Sequence, residues 1–381
     1  MSEKRGRTLY LTCIKIFAML LVMYGHFISV GTWALEVAGV IDGTMSEPLL
    51  PSTEQNLWGM EVKMIGLFNI QFAVVGVVLF FLVSGYFIPT LQHRYNKSYL
   101  DKQINFPSLL FSRLSKYYPM MFVCVAINGL LAYLAQGILY SPTDYIATAL
   151  LLNRVIPAET TMGVVWYLLV LIFSYAIATV VPKLTVTNLN QVYLFLFACV
   201  LLPHLLGSTP VAWIAWNLEY LSRYAGIVFL GCYAALSRNF TSRVYRVFGF
   251  AWYFILTVLL QKMDEGIYQI TTTYSEINTY WAAFIIIAVF YGVFRLLQDH
   301  LSGVVTKALY AIEKVSFAFY LVHVHFGMTT MYYLKQWGVN AYLSVLCACV
   351  ISAIVAIAVT WLVDRIEQTT WYKKIGVDWI S

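Results

Sequence analysis

Ten apolar runs, each near the length needed to cross a bilayer, constrain this 381-residue chain more than any other feature. They occupy residues 9–31, 66–90, 117–138, 162–181, 191–207, 221–236, 246–262, 279–296, 315–334 and 341–363, the fifth and sixth being the shortest. A transmembrane helix needs roughly 20 predominantly apolar residues. The expectation is an all-α, polytopic integral membrane protein of about ten transmembrane helices, forming a single domain over residues 1–381. Composition agrees, since 61% of residues are hydrophobic and 11% charged, against about 45–50% and 25% in soluble domains. That balance excludes an ordinary soluble enzyme, a disordered chain and a nucleic-acid binder. The first apolar run is too long for a cleavable signal peptide and lacks a small-residue cleavage site, so it is expected to be retained.

The net charge of +6 acquires meaning once the charges are placed. With the N-terminus on the cytoplasmic side and ten crossings, 18 of the 24 basic residues lie inside and only Lys63, Arg154, Lys262 and Lys335 outside. Lys15 and Arg223 fall within helices. The positive-inside rule therefore predicts both termini cytoplasmic. Eleven of the 18 acidic residues lie outside. A basic inner face suits an anionic, phosphate-bearing ligand, although orientation and anionic lipid heads account for most of those charges. Two long connecting segments stand out, the acidic, Gly/Pro-punctuated 32–65 and the basic 91–116. All six cysteines fall in apolar runs, which implies no disulfide framework. Neither a metal site nor an internal repeat is apparent.

Ionisable side chains at membrane depth cost roughly 2.5–3.5 kcal/mol on insertion scales, so each needs a reason. Lys15 and His26 are eleven residues apart, which leaves them about 20° apart around a helix and about 16 Å apart along it. One face of the first helix thus carries a cation low and an imidazole high. Either this face lines a cavity, or Lys15 snorkels to the inner interface and His26 bonds near the outer one. His323 and His325 lie about 200° apart on a helix, so only one of them faces a given cavity. Glu219 and Arg223, spaced i,i+4, can pair structurally or contact an acceptor. Arg113 and Lys116 lie one turn apart just before Pro119. They read as inner flanking charges or as a clamp for phosphates, with the arginine fork as its geometric element.

Several segments, in order, resemble transmembrane acyltransferase family three, the bacterial O-acyltransferases of surface polysaccharides. Lys15-(ten residues)-His26 is similar to the family's basic residue, ten residues, histidine. Phe80-Phe81-Leu82-Val83-Ser84-Gly85-Tyr86 is similar to its Phe-Phe-x-x-Ser-Gly-Phe/Tyr. Arg113-Leu114-Ser115-Lys116-Tyr117-Tyr118-Pro119 resembles its Arg-x-x-Arg-x-x-Pro. Trp166-Tyr167-Leu168, Phe229-Leu230-Gly231 and Ser316 through His323 resemble further family segments. The chain departs from the pattern in having Lys15 and Lys116 in place of arginine. It also has Thr12 where the family often has an acid.

The resemblance implies transfer of an acyl group, usually acetyl, from cytoplasmic acyl-CoA to a carbohydrate hydroxyl outside. It implies acetyl-CoA or another acyl-CoA as donor substrate and no resident cofactor. A surface polysaccharide or lipid-linked glycan is the implied acceptor, and the bacterial cytoplasmic membrane the location. On this reading Arg113, Lys116 and Lys15 hold the CoA phosphates, and His26 is the general base. His323 or the Ser84 region orients the thioester or stabilises the oxyanion. No esterase-like domain is expected after the last helix. The rival is a transporter or flippase for a glycan or lipid-linked precursor, which many helices and midplane histidines also fit. Against it, no repeated half and no paired broken helices are found.

Overall fold

A computed structural model describes residues 3–29, 72–102, 108–152, 158–181, 183–207, 209, 212–268, 276–297 and 300–369. The expectation of an all-helical protein is borne out, with no strand among the described residues. Among the described residues twelve α-helices follow one another: α1 Glu3–Tyr24, α2 Phe72–Lys102, α3 Ser108–Gln136, α4 Pro142–Ala149, α5 Trp166–Val180 and α6 Val186–Leu206, then α7 Ala212–Leu236, α8 Arg243–Tyr268, α9 Glu276–Leu297, α10 Gly303–Val322, α11 Met328–Gln336 and α12 Ala341–Gln368. Eight stretches among the described residues are long and apolar enough to cross a membrane, on α1, α2, α3, α5, α6, α8, α9 and α12. The other two expected runs fall on α7 and on α10–α11. Both are helical, but polar residues such as Glu219, Arg223 and His323 dilute their apolar character.

The helices outrun the apolar stretches. α2 continues past residue 90 to Lys102 and α3 begins at Ser108, so much of the segment taken as a basic connection is helix. α7 and α10 likewise begin well before residues 221 and 315. Helices end where backbone partners fail, not where hydropathy changes. Ser302 starts α10 in this way, its hydroxyl accepting the Val305 N–H. Segment 139–161 also holds the short helix α4, opened by Ser141 and Asp144 in a reciprocal capping box.

The chain divides into two compact units, each described by itself. The first comprises residues 1–79, 118–165 and 273–368. Within it α1 packs along α10 and α9, while α12 covers α10 and α11. Contacts of residue 15 with 313 and of 26 with 323 advance in the same direction, so α1 and α10 run parallel. α12 turns a face of small residues inward (Ser344, Ala348, Ser352 and Ala356, all buried). Small side chains let helix backbones approach closely in a membrane.

The second unit comprises residues 80–117, 166–272 and 369–381. Its centre is α7, packed against α5, α6 and α8 and buried continuously from Ala225 to Tyr233. α2 and α7 touch backbone to backbone through two glycines. A Cβ on Gly85 would lie 1.8 Å from the Val228 carbonyl oxygen, and one on Gly231 would lie 2.2 Å from that of Leu82. Each glycine therefore meets the carbonyl three residues before the other. The Gly85 and Gly231 positions of the family-like motifs thus have a packing reason.

Candidate functional site

The first unit carries two polar contacts between α1 and α10. At the lower one Lys15 Nζ lies 2.7 Å from Glu313 Oε1, and the Thr12 hydroxyl donates to Glu313 Oε2 at 2.9 Å. Both members of the ion pair are about a quarter exposed, at 29% and 26%. The acid absent at position 12 is therefore met from another helix, with Thr12 hydrogen-bonded to it.

Ten to eleven residues further along, both helices loosen into a π turn, Gly25–Ser29 after α1 and His323–Gly327 after α10. π turns recur at functional sites because the wider i→i+5 winding redirects side chains and backbone carbonyls. Each turn contributes a histidine. His26 Nδ1 lies 2.8 Å from His323 Nε2, and His323 Nδ1 lies 2.7 Å from the Tyr320 carbonyl oxygen. His323 is buried, stacked on Phe319 at 5.8 Å and flanked by Phe27, while His26 is half-buried. Two close approaches depend on glycine here. A Cβ on Gly25 would lie 2.4 Å from the Ala73 Cβ, and one on Gly327 would lie 2.2 Å from the Phe27 ring.

The tautomers follow from the partners. A carbonyl oxygen only accepts, so His323 Nδ1 carries a proton and donates to Tyr320. In neutral His323, Nε2 is then an acceptor, and His26 Nδ1 must donate to it. Neutral His26 is left with its lone pair on Nε2. The pair is an oriented base, built as a carbonyl-oriented histidine behind a second histidine.

His325 is also buried, but it does not share this contact, and its Nδ1 has no hydrogen-bond partner. That resolves which of the two histidines in the π turn after α10 meets His26. Among the described residues no group of three or more His, Cys, Asp or Glu is placed to hold a metal ion.

In the second unit the Ser84 hydroxyl lies 3.4 Å from that of Tyr167, whose ring stacks on Phe81 at 4.8 Å. Ser84 is half-buried and Tyr167 buried. Arg113 is half-buried with its guanidinium 5.9 Å from the Tyr175 ring centre, and Lys116 is exposed one turn on. Arg238, after α7, donates to the Tyr86 hydroxyl at 2.6 Å. Arg223 Nε lies 3.7 Å from Glu219 Oε1, the i,i+4 pair expected from spacing.

A family description, the acyltransferase domain, matches residues 8–365, nearly the whole chain. The chain belongs to acyltransferase family 3. No curated protein and no solved structure matches it.

The resemblance read from the motifs is thereby borne out, and this acyltransferase is a multi-pass membrane protein. Family membership sets the transporter reading aside. The structure brings His26 and His323 together within one unit, and Ser84 and Arg113 fall within the other. Sequence reasoning missed Glu313, Tyr175 and both π turns, and it marked Tyr167 only as part of a motif, without its contact to Ser84. One signal for Glu313 was available: it precedes His323 by ten residues, nearly the interval from Lys15 to His26.

Proposed function

We propose that this acyltransferase moves an acetyl or other short acyl group from cytoplasmic acyl-CoA to a hydroxyl of an extracytoplasmic glycan or glycan precursor, in a bacterial cytoplasmic membrane. The observation that carries this reading is the contact of His26 Nδ1 with His323 Nε2, 2.8 Å apart. It leaves His26 Nε2 as an oriented lone pair, which is what a base acting on a weakly acidic hydroxyl requires. His26 Nε2 takes the proton as the hydroxyl oxygen attacks the thioester carbonyl. The new C–O bond forms, the C–S bond breaks, and the proton leaves with the CoA thiolate. His323 shares the charge on His26 through their hydrogen bond. The Tyr320 carbonyl, which accepts from Nδ1, keeps His323 turned for that purpose.

For the donor, Arg113 and Lys116 supply the cations for the CoA phosphates, the guanidinium giving the fork that phosphate oxygens match. Ser84, whose hydroxyl lies 3.4 Å from that of Tyr167, is assigned with Arg113 and Lys116 to the acyl-CoA donor. Lys15 acts with Glu313, keeping α1 and α10 in register below the histidines.

Purified protein in lipid nanodiscs, given radiolabelled acetyl-CoA and de-O-acylated polysaccharide from the producing cells, tests the reading. Transfer to polysaccharide by wild type and its loss in His26→Ala are expected. A His26→Ala protein that inserts normally and keeps full transfer would overturn the assignment of the base.

A further inference from the structure

One face of α7 carries an aromatic row that the acyl-transfer step does not use. Trp213, Trp216, Tyr220 and Tyr224 fall within about 80° of arc at about 100° per residue and span about 16 Å along the helix. Their exposure declines inward, from 42% at Trp213 and 37% at Trp216 to half-buried at Tyr220 and Tyr224. The inner rings close on α5 and α2. Trp166 lies 5.1 Å from Tyr224 and 6.1 Å from Tyr220, and Phe81 lies 6.2 Å from Tyr224. Phe81 in turn stacks on Tyr167, the partner of Ser84. All of these residues belong to the second unit.

Beside the row, one helical step away, stand Glu219 and Arg223. Glu219 is only 1% exposed, so a carboxylate has been taken out of solvent next to the aromatic face. A buried ion pair is costly to desolvate and contributes little net stability. A purely lipid-facing aromatic belt has no use for it. The row is also made of tryptophan and tyrosine rather than phenylalanine or leucine. These rings combine a flat apolar face with a polar tip. Flat rings that stack on C–H faces, next to charged groups that bond hydroxyls, are complementary to a carbohydrate.

We infer that this row is the acceptor track, a carbohydrate-binding strip that receives the glycan at the N-terminal end of α7 and passes a sugar ring toward Ser84 and Tyr167. The inference rests on the glycan-acylation reading above and adds to it the residues that select the acceptor. The strip recognises sugar rings through stacking at Trp213, Trp216 and Tyr220, and hydroxyls through Arg223, which buried Glu219 holds from behind.

The same nanodisc assay decides it, with the KM for acetyl-CoA and for the de-O-acylated polysaccharide measured separately. Tyr220→Ala is expected to raise the polysaccharide KM at least tenfold while the acetyl-CoA KM moves less than twofold. Tyr220→Phe, which keeps the ring, is expected to stay within threefold of wild type. An unchanged acetyl-CoA KM also reports that the variant is folded; Trp213→Ala, at the exposed end, repeats the test away from the packed rings. Active variants with a wild-type polysaccharide KM in both Tyr220→Ala and Trp213→Ala would overturn the track and leave the transfer reaction standing, the row then being an interfacial anchor. A wild-type protein that transfers nothing overturns the functional reading and the track with it.

Discussion

His26 and His323 meet ring to ring because two π turns, one after α1 and one after α10, open at the same level of a parallel helix pair. General acid–base catalysis by one side chain is worth about 10²–10⁴-fold. His26→Ala is therefore expected to lose acyl transfer by about that factor. His323→Ala keeps a base at position 26 but frees its tautomer, so its loss should be smaller and its pH–rate profile displaced from wild type. Steady-state rates across pH check both; a His323→Ala profile identical to wild type would remove the orienting role.

The ion pair of Lys15 and Glu313 lies below the histidines on the same two helices. Lys15→Glu and Glu313→Lys each leave two like charges in contact and are expected to lower thermal stability. The double exchange restores opposite charges and should recover part of the loss. Thr12→Val removes one hydrogen bond to a charged group, worth about 1.5–3 kcal/mol at most. Thermal unfolding in detergent measures all four; a double variant less stable than either single one would show that the pair does not act as a unit.

Gly85 and Gly231 lie against the backbone of the opposite helix, with no side chain there that can yield. Gly85→Ala and Gly231→Ala must push α2 and α7 apart, and overpacking of this kind typically costs about 1–3 kcal/mol. Gly292→Ala, where an added Cβ meets nothing within 4 Å, is expected to be neutral. Detergent melting curves and yields compare the three proteins.

The parallel course of α1 and α10 sets a parity condition. An even number of crossings must separate the starts of two parallel spans. Seven of the stretches apolar enough to cross precede α10, namely those on α1, α2, α3, α5, α6, α8 and α9. Among the described residues one more crossing makes that number even, and α7, with 25 residues, is long enough to provide it. In a cysteine-free background, Thr209→Cys and Asn239→Cys should react with impermeant maleimide from opposite sides. Labelling of both from one side would deny α7 a crossing.

Outside the spans, the Ser141 hydroxyl bonded to Asp144 holds that carboxyl below the ordinary carboxylate range. A lowered folded-state pKa means that the capping contribution is complete above the unfolded value, about 3.9. It is lost as pH falls through the depressed folded value. Amide protection over residues 142–149, taken relative to the intrinsic exchange rate at each pH, should therefore hold steady from neutral pH to the unfolded value and fall only in stronger acid. Asp144→Asn should show the lower protection already at neutral pH.

Hydropathy and charge determined much by themselves. Runs of about 20 apolar residues can only be membrane helices, and the ordered motifs around Lys15, Ser84, Arg113 and His323 were enough to reveal the family. Helical periodicity also placed Lys15 and His26 on one face. What the tertiary structure alone decided was partnership. A 3.6-residue period assumes regular winding, so it cannot foresee the π turns that bring His26 to His323. Nor does it reveal that Lys15 meets Glu313, nearly 300 residues away. Glycine in an apolar run carries no sign of what it touches, and the carbonyls behind Gly85 and Gly231 appear only once two helices cross. Hydrophobicity acts on each segment separately and is legible in order along the chain. A base, its orienting group and an ion pair are relations between segments, set by packing.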